Sequence, residues 1–309
     1  MTPQKYLEEL LASQDLSPRQ VLDLESHKDE VTKFLQAQFG SAPKIKYAGS
    51  WVKGTMISDR YDLDIVCYFL HTDSRSLKEI REDVAKRLSA KYLTRQKSSA
   101  ERILDLKGVA APGDFHIDVV PGRFIEGSDD VFLHVQYGDK ERMLTNLKTH
   151  IDHIVGSGCV PLIRLTKLWA HRNRVEIKTF VLELFVIDAL TGSRNKGNLK
   201  EGFLEVLKAF RDDFATTQLI DPANTNNIVS QLMEPAEKSA IAQAADKTLD
   251  GIDGSDSLAD WQAAFLETGT VTTKSSGGSG VASAAAGAVA SGTSFTPTRQ
   301  WGGSHDNGN

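Results

Sequence analysis

Two aspartates separated by one leucine head an apolar run, "DLDIVCYF", at residues 62–69. The run is rich in β-branched and aromatic residues, which predicts a strand. Side chains alternate along a strand, so Asp62 and Asp64 share one face while Leu63 and Ile65 share the other. Neighbouring carboxylates repel one another. A divalent cation between them relieves the repulsion, and hard cations such as Mg²⁺ prefer oxygen ligands. Upstream, Gly49-Ser50 closes the stretch "KIKYAGS", and Gly54-Thr55 follows. Small residues at such a turn let backbone N–H groups come close to a phosphate. Taken alone, a D-x-D pair is common and reads first as a solvated turn bearing two surface acids.

A third carboxylate comes from "GDFHIDVVP", residues 113–121. Read as a strand, it places Asp114, His116 and Asp118 on one face, with Asp118 deepest. Pairing beside the D-x-D strand would bring Asp118 within reach of Asp62 and Asp64. Three carboxylates around two metal ions can bind a nucleoside triphosphate, activate an attacking hydroxyl and stabilise the departing pyrophosphate. Asp114 and His116 read as a polar strand face beside the site.

The rest of the chain bounds the alternatives. At 309 residues, 40% hydrophobic and 25% charged, it can bury a sizeable core in one or two domains. A net charge of −5 argues against broad non-specific nucleic-acid binding. The two cysteines, Cys67 and Cys159, lie in or beside apolar stretches and suggest neither a disulfide framework nor a zinc cluster. The amphipathic start, "MTPQKYLEELL", does not read as a targeting peptide, and no apolar run is long enough to cross a bilayer. A cytoplasmic location is the expectation.

Helical spacing marks "PQKYLEELLA" and "SPRQVLDLESHKDEVTKFLQAQF", the second with Ser17-Pro18 as its start and Gly40 as its stop. Strand-like stretches follow: "KIKYAG", "DLDIVCYF", "ERILDLKG", "DFHIDVVPGRF" and "VFLHVQ", interrupted by the helix "SLKEIREDVAKRLSAKY". From about Asp139 the pattern turns mostly helical, including "PLIRLTKLWAHR", "TFVLELFVIDALTG" and one long segment, "NIVSQLMEPAEKSAIAQAADKTL". This gives a mixed α/β half over 1–138 and a helical half over 139–269. The Gly/Ser/Ala-rich segment 270–309 cannot bury enough surface to offset ordering and is expected to be disordered.

The combination of "GS", "GT", "DLD" and "HIDVVP" resembles the polymerase-β-like nucleotidyltransferases. "PLIRLTKLWAHR", "IKTFVLELFVIDAL" and "LIDPANTNNIVS" further resemble the branch holding oligoadenylate synthetase, cyclic GMP-AMP synthase and the bacterial anti-phage cyclic-oligonucleotide synthases (CD-NTases). The resemblance covers roughly residues 20–265. It implies an α+β fold: a polymerase-β-like core with a mixed sheet, completed by a C-terminal helical domain. It implies that Asp62, Asp64 and Asp118 hold two Mg²⁺ ions, for which Mn²⁺ could substitute. By the same resemblance Gly49 and Ser50 hold the donor triphosphate, and Lys167 meets its phosphates from a helix. Thr179 stands where the family has a phosphate-binding serine and Phe180 where it has a base-stacking tyrosine. Threonine keeps the hydroxyl; phenylalanine keeps the π-face and loses the phenol group.

Other residues carry plainer readings. Glu183 reads as the structural partner of a buried donor, Asp221 and its neighbouring asparagines as turn formers around Pro222, and Trp169 as core. The activity implied is the joining of nucleoside triphosphates into a cyclic di- or trinucleotide messenger in anti-phage signalling. The alternatives are a template-independent linear polymerase and an inactive nucleotide-binding module. In some of the enzymes resembled, a ubiquitin-transfer-like protein attaches the C-terminus to a target, which makes such a protein a candidate partner for the tail.

Overall fold

Alternation and capping explain most of the elements. The computed structural model describes residues 1–104, 115–136 and 141–266. Asp114, the 138/139 boundary, the end of the "ERILDLKG" run and the tail lie outside them. Helix α1 (Pro3–Ala12) is capped by Thr2. Helix α2 (Pro18–Phe39) starts at a reciprocal Ser17–Gln20 capping box and stops at Gly40, whose φ is 64°. Strand β1 (Pro43–Ala48) runs into a short helix α3 (Gly49–Lys53), then β2 (Leu63–Phe69) and α4 (Leu77–Ser89), the last opened by a Ser76–Glu79 capping box. Strands β3 (Thr94–Gln96), β4 (Glu101–Ile103), β5 (Ile117–Phe124), β6 (Val131–His134) and β7 (Arg142–Thr145) complete the first half.

Helices α5 (Leu147–Gly156), α6 (Val160–Arg172), α7 (Thr179–Ala189) and α8 (Leu199–Asp212) follow. A small hairpin of β8 (Ile220–Asp221) and β9 (Asn224–Ile228) precedes α9 (Pro235–Ile252) and α10 (Leu258–Ala263).

One local expectation is corrected. The long helix expected from Asn227 begins at Pro235. Residues 224–228 are strand and Val229–Leu232 a 3-10 turn, because Pro235 and the Glu234 N–H bonded to Glu237 (2.7 Å) define a later start. The mostly helical half also contains β7 and this hairpin. Gly49-Ser50 forms the first turn of α3.

One mixed sheet runs β1-β2-β5-β4-β3, with β6 branching from β5 and β7 pairing β6. Strands β2 and β5 are parallel; β1, β4 and β6 lie antiparallel to them. Leu63, Ile65, Cys67, Phe69, Ile117 and Val119 form one core beneath α2 and α4. The opposite face of β2 and β5 carries the aspartates, then Val66 and Tyr68 in a smaller cluster with Val131 and Leu133. A larger core joins α5 to α10 and takes in Leu7 and Leu11 of α1. Among the described residues no helix is long and apolar enough to cross a membrane.

Candidate functional site

The strand register builds a transverse row. Ala48, Asp64, Asp118 and Arg102 are successive direct partners across β1, β2, β5 and β4. Asp62 precedes β2 by one residue on the same face. The row thus brings Asp62, Asp64 and Asp118 together.

Each carboxylate is held from outside the trio. Arg102 grips Asp118 as a fork, Nε to Oδ1 and Nη2 to Oδ2, both at 2.8 Å. His116 Nε2 stands 3.4 Å from Asp62 Oδ2 and 3.9 Å from Asp118 Oδ2. Asp64 leans over Gly49: a Cβ on that glycine would fall 1.7 Å from Asp64 Oδ2. Burial, then the charges of Asp62 and Asp118, push the Asp64 carboxyl up to about 7. Burial would raise Asp62 as well, but the hydrogen bond and charge of His116 hold it below its ordinary value.

Opposite the row, α3, α6 and α7 meet at a buried carboxylate. Glu183, fully buried, accepts from Lys53 Nζ, Lys167 Nζ and Thr55 Oγ1, each at 2.7 Å. Lys167 also reaches Thr55 Oγ1 at 2.9 Å and the Thr55 carbonyl at 3.2 Å. Burial opposes the Glu183 charge, but Lys167 and Lys53 outweigh it and bring the carboxyl to about 2. The same burial lowers Lys167, against the pull of Glu183. Glu183 is therefore the partner of buried donors.

A cleft of about 320 Å³ separates the row from this cluster. Gly49, Ser50, Asp62, Asp64, Lys167, Thr179 and Phe180 line it; Asp118 does not, its oxygens being turned to Arg102. Thr179 is exposed at the first residue of α7. Phe180 is half-buried, its ring 4.8 Å from that of His150 and 5.3 Å from Lys53 Nζ. His150 is held in turn by Asp221 (2.7 Å), which also accepts from Asn227 Nδ2 (3.0 Å) and the Ala223 N–H (2.9 Å). The last contact is an Asx turn, so Asp221 holds the hairpin and the ring behind Phe180 rather than lining the cleft.

Arg102, Lys53 and the close approach of His116 were not expected from sequence. Alternation in "ERI" turns Arg102 away from Glu101 and Ile103, but only the β4–β5 pairing supplies its partner. Among the described residues, no three acidic, histidine or cysteine side chains are arranged to hold a metal ion as they stand. The donor chemistry nevertheless fits a hard divalent cation: three carboxylates gather on one face, and Asp64 is crowded enough to be driven toward protonation.

A family model described as the Second Messenger Oligonucleotide or Dinucleotide Synthetase domain, SMODS, matches residues 1–155. No curated relative matches the chain by sequence. Among solved structures, CdnC of Escherichia coli MS115-1, solved with ATP, aligns at a TM-score of 0.66 and 18% identity, over 85% of this chain and 96% of that one. The CD-NTase CdnG of Bradyrhizobium diazoefficiens, in complex with GTP, aligns at 0.68 and 13%, over 85% and 94%. The DncV cyclic AMP-GMP synthase of Vibrio cholerae, bound to the linear intermediate 5′ pppA(3′,5′)pG, aligns at 0.58 and 18%, over 88% and 86%. At these identities the structural likeness is a likeness of fold. Because the family model spans half of its length, the chain belongs to the SMODS family of second messenger oligonucleotide or dinucleotide synthetases and is a nucleotidyltransferase with a polymerase-β-like core.

Proposed function

We propose that the cleft joins nucleoside triphosphates into a cyclic di- or trinucleotide with release of pyrophosphate, in the cytoplasm and as part of anti-phage signalling. The observation that carries this reading is the facing of two unlike surfaces: a carboxylate row on the sheet, and Lys167 with the start of α7 across the cleft. When bound at the row, two Mg²⁺ ions, or Mn²⁺ in their place, would supply charge neutralisation and a lowered pKa for the attacking hydroxyl.

The chain's own residues do the rest. Asp62 and Asp64 face the cleft and Asp118 backs them, so their oxygens fix where that charge sits. Ser50 and Thr179 offer hydroxyls, and Lys53 and Lys167 offer ammonium groups, to the triphosphate. Glu183 holds both lysine ammonium groups in place through its two 2.7 Å contacts. Phe180, backed by His150, presents a ring face to a base. A ribose hydroxyl oxygen then bonds to the α-phosphorus as the bond to the β-phosphate breaks, and the hydroxyl proton leaves through the carboxylate row. Repetition gives a linear intermediate first and the ring last, an order supported by the linear species captured in the Vibrio cholerae relative.

The division into a catalytic core (1–138) and a helical domain completing the cleft (139–269) belongs to the same proposal, as does a ubiquitin-transfer-like partner for the tail. The test is incubation with labelled triphosphates and Mg²⁺ or Mn²⁺, followed by phosphatase and mass spectrometry. A product whose phosphates all resist phosphatase is expected. Products that lose terminal phosphates would instead identify a linear polymerase. Asp62→Ala/Asp64→Ala should reduce transfer to background without lowering the melting temperature, since two like charges leave one face. Full turnover in that folded variant would remove the row from the mechanism.

A further inference from the structure

The carboxylate row contains its own counter-cation. Arg102 is the direct cross-strand partner of Asp118, and its guanidinium occupies both carboxylate oxygens at 2.8 Å. Its charge also interacts with Asp62 and Asp64. His116 occupies the Asp62 side. Asp118, held this way, does not face the cleft, and no ready-made trio of ligands stands open among the described residues.

The charge count points the same way. Three carboxylates and Glu183 bring four negative charges at full ionisation, and Arg102, Lys53, Lys167 and Arg60, which also lines the cleft, bring four positive ones. The cleft is therefore close to neutral. A free divalent cation would meet little net attraction, and it would meet the repulsion of Arg102. A cation arriving with a triphosphate would not, because the phosphates carry their own compensating charge to the lysines.

We propose that Arg102 is the counter-charge that prevents the carboxylate row from loading a divalent cation alone, so that metal enters together with the nucleotide. The proposal rests on the carboxylate row being the metal site. It concerns the charge of Arg102 rather than its hydrogen bonds. Glutamine keeps a donor and loses the charge; lysine keeps the charge and loses the fork.

The experiment titrates Mn²⁺ into the metal-free full-length chain, following the free ion by electron paramagnetic resonance. It is run with and without an ATP analogue bearing an α,β-methylene bridge. Without nucleotide, Arg102→Gln should bind Mn²⁺ about tenfold or more tightly than the wild type, as expected from removing a unit charge a few ångströms from a divalent ion. Arg102→Lys should stay near the wild type. With the analogue present, the gap between wild type and Arg102→Gln should close.

Equal or weaker Mn²⁺ binding by Arg102→Gln overturns the proposal, as does tightening by Arg102→Lys to the same extent. A third variant separates this failure from failure of the metal-site reading. Arg102→Gln combined with Asp62→Asn/Asp64→Asn should lose the tight site. If the tight site persists, the cation is not on the row, and both readings fall. Melting curves in chelator verify that each variant is folded, and Arg102→Lys provides the charge comparison independently of how well the glutamine variant folds.

Discussion

Gly49 carries two constraints at once. Its φ of 65° lies in the left-handed region, and the Asp64 carboxylate occupies the space a side chain would need. Gly49→Ala should therefore cost roughly 1–2 kcal/mol of stability through the backbone. Its larger effect should be on turnover, because the methyl group displaces Asp64. The check is a denaturant titration beside an initial-rate assay; wild-type turnover would mean that Asp64 can move without consequence. The period of the strand made the placement of Asp62 and Asp64 legible, since Leu63 and Ile65 had to go inward and both are buried. The face of Asp118 was legible for the same reason, but its place directly opposite Asp64 is set by the β2–β5 pairing. Arg102 was not legible, because the identity of a strand's partner is set by non-local pairing. Lys53 was not legible either: its meaning depends on Glu183, a residue 130 positions away.

At the scale of elements, Glu183 joins α3, α6 and α7 through three hydrogen bonds from one buried carboxylate. Removing its charge leaves two lysines facing each other in the interior. Glu183→Gln should lower stability at neutral pH by about 3–5 kcal/mol, the usual cost of breaking a buried pair. The pH dependence has a definite sign. The folded carboxyl titrates near 2, below its value of about 4.3 in an unfolded chain. Its contribution is therefore fully present above about pH 4.3 and is lost as pH falls toward 2, by roughly 3 kcal/mol in all. The wild type should lose stability across that window more steeply than Glu183→Gln; parallel curves would show that Glu183 is not held as an anion. Helices with strong caps, such as α2 and α4, were readable from sequence because Ser17 and Ser76 act within one turn. The β8–β9 hairpin was not, because Asp221 is stabilised by His150 from α5 rather than by a periodic pattern of its own.

At the scale of the molecule, the chain begins in one core, builds the other and returns. Leu7 and Leu11 of α1 are buried among the later helices, whereas α2 packs on the sheet. Periodicity identified α1 as a helix but could not say which core receives it, since an amphipathic face fits either. Cross-links tie the segment before β2 to α6: Arg164 donates to the Met56 carbonyl (3.0 Å), and Arg172 and Gln14 both reach Asp59 (2.9 and 3.0 Å). The described residues accordingly fall within one compact unit. They should unfold in one cooperative step. Tryptophans report on each core separately, Trp51 beside the sheet core and Trp169 and Trp261 within the helical one. With Trp301 replaced by phenylalanine, variants retaining either Trp51 alone or the pair Trp169 and Trp261 should melt at matching midpoints, once corrected for each variant's own stability by circular dichroism. Leu7→Ala should then lower both midpoints together, by a stability loss of about 2–5 kcal/mol for a fully buried leucine. If the truncation lowers only the transition seen by Trp169 and Trp261, the two cores fold independently, and the cleft is a seam between separable domains rather than the interior of one.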